Sequence, residues 1–201
     1  MSAGTAAAGE VQIEAAGTAD AAMLATLFTE SSGGVWPAVW RVHARASETV
    51  SAAGARVIRE GVSGVCLGNT VVATLAGERL GALCCYQERP GGPDAALPAA
   101  LQSALRPYAA LSDPQSWFVA ELACQPSVRG RGLGTRLLEH AAQQGRARGL
   151  PRLSLRVFAE NTGAVRLYRR FGFDVVGEQP VVAHPDITAR GSVYAMAKAL
   201  A

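Results

Sequence analysis

Ser127-Val-Arg-Gly-Arg-Gly-Leu-Gly-Thr135 gathers the residues of this chain best suited to hold an anion. Closely spaced glycines let backbone N–H groups converge without Cβ obstruction, and a helix starting behind them adds positive potential. Arg129 and Arg131 add full charge, so a pyrophosphate is the natural ligand. A Walker A loop needs Lys followed by Ser or Thr after its last glycine, and this chain has Thr135-Arg136. A dinucleotide fingerprint starting at Gly130-x-Gly132 has Thr135 in place of its third glycine, and its acidic ribose partner is missing. The pattern R-x-x-G-x-G fits Arg129, Gly132 and Gly134 without adjustment. Valine at either glycine is expected to block both the phosphate and the backbone angle.

Two other side chains could move protons. Glu121 is an acid inside an apolar strand, so it is either a general base or a charge on a solvated or paired face. Tyr168 shares a helical face with Ala164, Leu167 and Phe171, where a ring packs as readily as a hydroxyl reacts. Asn161 is placed to cap that helix. Trp36 and Trp40 flank the first inter-helix region and read first as a helix–helix packing pair. Cys66, Cys84, Cys85 and Cys124 form no CxxC, and His43, His140 and His184 are scattered, so reduced thiols and no metal site are expected.

Positioning these residues requires a mixed α/β architecture. Residues 1–10 are expected to be a disordered tail and 11–201 one domain. Val11–Glu14 alternates as a strand, Asp20 caps a helix to about Glu30, and a second helix is expected from Ala38 to Glu60, closed by Gly61. Thr70–Ala76 and Arg79–Gln87 read as a hairpin about Gly77-Glu78. Residues 91–113 look inserted, with a helical piece at Leu97–Leu111 broken by Pro107. Ser116–Cys124 is a strand, and Leu133, Leu137, Leu138, Ala141 and Ala142 mark a helix ending at Gly149. Leu153–Val157 alternates as a strand, a helix runs from Asn161 to Gly172, and Val175–Val176 and Ser192–Ala199 are last strands.

Several segments together resemble the GNAT superfamily of acyl-CoA-dependent N-acyltransferases. Arg129–Gly134 matches its Q/R-x-x-G-x-G/A pyrophosphate loop, and Leu122-Ala-Cys-Gln-Pro126 resembles the strand end before it. Leu153–Val157, Asn161, Ala164–Tyr168 and Phe171-Gly-Phe173 follow in the family's order. The resemblance implies a mostly antiparallel mixed sheet of six to seven strands, splayed between the fourth and fifth, with helices on both faces. It implies that acetyl-CoA is the co-substrate, with pantetheine along Ala123–Cys124 and pyrophosphate held by Arg129, Gly130, Arg131, Gly132, Leu133, Gly134 and Thr135. It also implies a contact of Asn161 with the CoA arm, and a role for Tyr168 as the acid that protonates the leaving thiolate. For Trp36 and Trp40 it offers a place at the acceptor site as the alternative to packing. A β-bulge often opens that splay.

Charge refines the expectation. Residues 129–170 carry ten arginines against Glu139 and Glu160, a net of +8, whereas residues 1–128 carry a net of −4. The basic part suits an anionic ligand, and the acidic part mildly favours a cationic amine. The overall charge of +3 is too small to imply nucleic acid. Without an apolar leader or a bilayer-length apolar run, the protein is expected to be cytoplasmic, with no membrane partner. The acceptor is expected to be a small-molecule amine. A protein lysine or N-terminus, a non-catalytic CoA sensor and a homodimer all remain open, as does the role of residues 91–113.

Overall fold

The computed structural model describes residues 10–88 and 95–200. Residues 1–9 of the expected tail and 91–94 of the inserted segment lie outside the described residues. The chain alternates short strands and helices as β1 (Gln12–Ala15), α1 (Ala21–Ser31), α2 (Val35–His43), α3 (Val50–Glu60), β2 (Thr70–Leu75), β3 (Glu78–Tyr86), α4 (Ala99–Ala110), β4 (Trp117–Cys124), α5 (Leu133–Ala147), β5 (Arg152–Phe158), α6 (Thr162–Phe171), β6 (Asp174–Pro180) and β7 (Ser192–Ala199). The seven strands form one sheet in the order β1-β2-β3-β4-β5-β7-β6. Every pairing is antiparallel except β4 with β5. No helix among the described residues is long and apolar enough to cross a membrane.

Each face of the sheet is covered by helices. On one face α5 and α6 bury Leu137, Leu138, Ala141 and Tyr168 against Trp117, Val119, Leu153 and Leu155. On the other, α1, α2 and α3 bury Leu24, Phe28, Trp40 and Ile58 against Val72, Ala82 and Cys84. A third, smaller cluster joins Leu101 and Ala104 of α4 to Ala38 of α2 and to Ile187 and Ala189 between β6 and β7.

Three sequence expectations change in detail. The helix expected over Ala38–Glu60 is two helices, because Ser47 adopts a positive φ and the Thr49 side chain caps α3 by accepting from the Ala52 N–H. The break lets α3 cross α2 closely enough that a Cβ on Gly54 would sit 2.4 Å from the Trp40 ring. Pro107 does not break α4, which continues through it to Ala110; the buried contacts of Leu101 and Ala104 hold the helix despite one missing N–H. The β2–β3 turn is Ala76-Gly77, both at positive φ, as a two-residue hairpin turn of the primed kind requires.

Candidate active site

β4 and β5 pair over only three residues, Trp117–Val119 with Leu153–Leu155. Beyond Val119 the two strands part, and residues 120–124 of β4 keep only β3 as a neighbour. The parting coincides with a β-bulge. Cys84 pairs with Glu121 and Cys85 with Val119, so Ala120 is an extra residue on β4. Side chains alternate along a strand with period two, so one extra residue swaps faces for everything after it. Trp117 and Val119 accordingly pack on the α5–α6 side, whereas Ala123 packs on the α1–α3 side and Leu122 and Cys124 revert to the α5–α6 side. Without the bulge Glu121 would point into the apolar core beside Val119. With it, Glu121 faces α1 and α2.

There both carboxylate oxygens meet neutral donors. The Trp36 indole N–H donates to one at 2.5 Å and the Ser31 hydroxyl to the other at 2.9 Å. Burial raises the Glu121 carboxyl to about 7, and the two hydrogen bonds oppose that rise. A carboxylate poised near neutrality suits a general base. Ser31 and Trp36 lie just before and just after the Gly33-Gly34 turn between α1 and α2. Gly34 sits at φ +93°, and a Cβ there would come within 2.1 Å of the Asp186 carbonyl oxygen. The Gly33 carbonyl accepts from the Thr188 and Ala189 N–H groups, so the turn is fixed to the segment between β6 and β7.

Tyr168 reaches the same cleft from the opposite face of the sheet, on α6. Its ring is buried edge-on to Phe173, with centroids 5.9 Å apart. Burial first, then the charges of Glu121 and Cys124, push its hydroxyl above the usual phenol range. It therefore stays protonated at any working pH. A thiolate confined here is also a stronger base than in water, as the nearby Cys84 thiol, pushed up to about 12 by burial, illustrates. Donor and acceptor thus shift together.

The cleft has a volume of about 430 Å³. Asn161 and Ala164 line it beside Tyr168, and the Asn161 side-chain Oδ1 caps α6 by accepting from the Ala164 N–H at 3.2 Å. Trp36, Tyr86, Glu88, Tyr108 and Arg156 also line it. Tyr86 meets Phe118 edge-on at 5.6 Å, and Tyr108 meets Phe158 likewise. The Arg156 guanidinium lies 4.3 Å above the Phe118 ring and pairs with Glu88. α4 supplies Leu105, Tyr108 and Ala109 to this wall, so the described part of the inserted segment helps shape the cleft.

The glycine-rich turn follows β4 directly. Gly130 and Gly132 hold φ of +75° and +85°, and Gly132 is the residue from which α5 starts. No atom outside the chain neighbours lies within 4 Å of a Cβ placed on either, so the space above them is open. Arg129 and Arg131 are exposed beside it. Arg129 also donates to the Cys124 carbonyl at 3.1 Å, which ties the turn to the strand end. Gly134 differs from the sequence expectation. Its φ is ordinary, and a Cβ there would press to 2.9 Å on Leu167 of α6, so its smallness is required by α5–α6 packing and not by the backbone angle.

The structure brings Glu121, Tyr168 and Asn161 to one cleft, with Ala123 and Cys124 on the parted strand leading to Arg129–Thr135. Sequence reading missed Ser31 and the Trp36–Glu121 bond, and assigned no role to Glu88 or Arg156. The one available signal was a charged residue, Arg156, inside an apolar strand. Among the described residues no cluster of His, Cys, Asp and Glu could hold a metal ion.

Residues 38–173 match the sequence profile of the Acetyltransferase (GNAT) family. A streptothricin acetyltransferase of Streptomyces lavendulae is 39% identical over 63 residues, 31% of this chain and 33% of that protein. The N-alpha-acetyltransferase 40 of Saccharomyces cerevisiae is 39% identical over 77 residues, 35% of this chain and 27% of that protein. The matched stretches thus span about a quarter to a third of the curated relatives' length. In fold, the chain resembles a solved agmatine N-acetyltransferase at a TM-score of 0.65, with 20% identity, over 94% of this chain and 99% of that one.

Proposed function

Because this chain belongs to the Acetyltransferase (GNAT) family and is an acyltransferase, we propose that it transfers an acetyl group from acetyl-CoA to a primary amine of a small molecule by direct attack. The observation that carries this reading is the parting of β4 from β5, into which Glu121 and Tyr168 project from opposite faces of the sheet. The residues present fit acetyl-CoA. The backbone of Ala123–Cys124 has no strand neighbour on the β5 side, matching an extended pantetheine arm. Gly130 and Gly132 leave open space at the start of α5, where N–H groups suit a pyrophosphate. Leu133 and Thr135 contribute to that first turn, and Asn161 lines the cleft together with Tyr168. Bound there, the thioester supplies an activated carbonyl.

The chain's own groups manage protons and orientation. Glu121 takes the proton that the attacking amine must lose, directly or through one water. As the N–C bond forms and the C–S bond breaks, the Tyr168 hydroxyl gives its proton to the sulfur. Trp36 and Ser31 hold the carboxylate in place by its two oxygens. The α4 wall supports a small acceptor over an amine displayed on a protein, because it adds a packed side to the cleft.

The test measures acetyl-CoA affinity by calorimetry and amine-dependent thiol release across a panel of amines, with the N-acetyl product confirmed by mass. An affinity of about 1 μM to 1 mM is expected. Binding without amine-dependent thiol release, or faster transfer to protein lysines or N-termini than to any small amine, would sink the reading.

A further inference from the structure

The charge inventory of the cleft narrows the acceptor further. Three charged side chains line it among the described residues, namely Glu88, Glu121 and Arg156. Two of them are consumed by each other. Arg156 gives one Nη to Glu88 and the other to the Tyr108 carbonyl at 2.6 Å, while its plane rests on Phe118. The second Glu88 oxygen accepts from the Ser112 hydroxyl at 3.0 Å. Their side chains are only 11% and 14% exposed, so either ion would be left buried and uncompensated if its partner were drawn away. Among the described residues, a carboxylate on the acceptor therefore finds no free cation, and a second ammonium finds no free anion. Glu121 alone keeps a charge that only neutral donors touch.

Apart from Ser31, Ser32, Ser112, Asn161 and the tyrosine hydroxyls, the rest of the lining is apolar. Trp36, Tyr86, Tyr108 and Phe118 turn aromatic surface to the cleft. The α4 wall is itself held to α2 and to the segment before β7 through Leu101, Ala104, Ala38 and Ile187. We propose that the acceptor is a monoamine, one primary amine on a compact uncharged aromatic body, and that amino acids, diamines and peptide N-termini are poor acceptors. This rests on the acetyl-transfer reading above and adds the class of substrate. Apolar faces hold the body, and Glu121 receives the single ammonium and removes its proton.

A matched set isolates each charge. 2-Phenylethylamine is the monoamine, phenylalanine adds a carboxylate, the para-aminomethyl derivative adds a second ammonium, and a tetrapeptide beginning with phenylalanine adds a chain. The monoamine should exceed each of the others by at least about tenfold in kcat/KM, because each added group would be buried without a partner. An ionised counterpart or the peptide that equals it overturns the proposal. Glu88→Gln provides a second arm, since it frees the Arg156 guanidinium. The ratio of phenylalanine to phenylethylamine turnover should then rise at least about tenfold, and an unmoved ratio in a folded variant also overturns the proposal. If that variant does not fold, the panel on the native protein decides alone. Turnover of none of the four overturns the acceptor class even where acetyl-CoA binds. Failure to bind acetyl-CoA overturns the underlying reading instead.

Discussion

Replacing Trp36 with Phe removes one of the two donors that hold Glu121 ionised while keeping an aromatic ring in place. Hydrogen bonds to a charged group contribute about 1.5–3 kcal/mol, and about 1.36 kcal/mol corresponds to one pKa unit, so the Glu121 carboxyl should rise by about 1–2 units. From about 7 it would move to about 8–9. At about pH 7 the ionised fraction then falls from about a half to about 1–10%, and kcat/KM should fall about 5–50-fold. The loss should vanish once the pH passes the new value. Water entering the space left by the indole would reduce the shift toward the lower figure. Other groups that face Glu121 do not confuse the profile. Cys84 and Tyr86 on β3 and Tyr168 on α6 are all pushed upward by burial and stay neutral, and Arg156 is neutralised by Glu88. The assay is thiol release across the pH range under kcat/KM conditions, beside a melting curve. An unmoved acidic limb in a folded Trp36→Phe protein refutes the reasoning, and so does an equal loss at every pH, which would mark a packing defect. Ser31→Ala should shift the limb in the same direction.

Glu121→Gln should remove the acidic limb and lower kcat by roughly 10²–10⁴-fold, and a retained limb would assign the base elsewhere. The same variant tests linkage. The folded carboxyl titrates above its unfolded value, so its contribution to stability is present at low pH and is lost as the pH rises from about 4.5 to about 7. Glu121→Gln should therefore gain in melting temperature relative to the native protein between these limits. Tyr168→Phe should lower kcat at least about tenfold with acetyl-CoA affinity and melting temperature nearly unchanged, and wild-type turnover where chemistry limits the rate would remove it from the mechanism. Gly132→Ala and Gly134→Ala should separate. The first costs acetyl-CoA affinity plus about 1–2 kcal/mol for its left-handed backbone, whereas the second destabilises through Leu167 with a smaller effect on binding. Calorimetry and melting on both variants check the contrast.

The parts of the site legible in the sequence are those whose physics is local. Positive φ at Gly130 and Gly132, the helix that starts there, and the Asn161 cap all depend on a few neighbouring residues. The alternation of Leu153, Leu155 and Val157 likewise announced β5. The bulge at Ala120 was not legible, since neither glycine nor proline marks it and the apolar run reads straight through it. Strict alternation would have placed Glu121 with Trp117 and Val119 in the core. The Trp36–Glu121 and Arg156–Glu88 pairs bridge 85 and 68 residues, and nothing in the neighbourhood of either partner specifies the other. The split between α2 and α3 was masked by helix-compatible residues on both sides of Ser47.

A sheet that opens in its middle has an edge where edges are usually absent. The outer edges of this one are guarded in ordinary ways. β1 is only four residues long and carries Glu14, while β6 carries Asp174 and Glu178 and ends in Pro180. The inner edge, residues 120–124 of β4, carries no such charge beyond Glu121, whose carboxylate is held by Trp36 and Ser31. It lies inside the sheet instead, with helices packed on both faces. Its unpaired stretch borders the cleft rather than the outer rim. Under the acetyl-transfer reading proposed above, an amide-bearing arm takes the place of the missing strand there. An edge of this kind offers the hydrogen bonds of a strand inside the molecule, whereas the outer edges are blunted against such pairing.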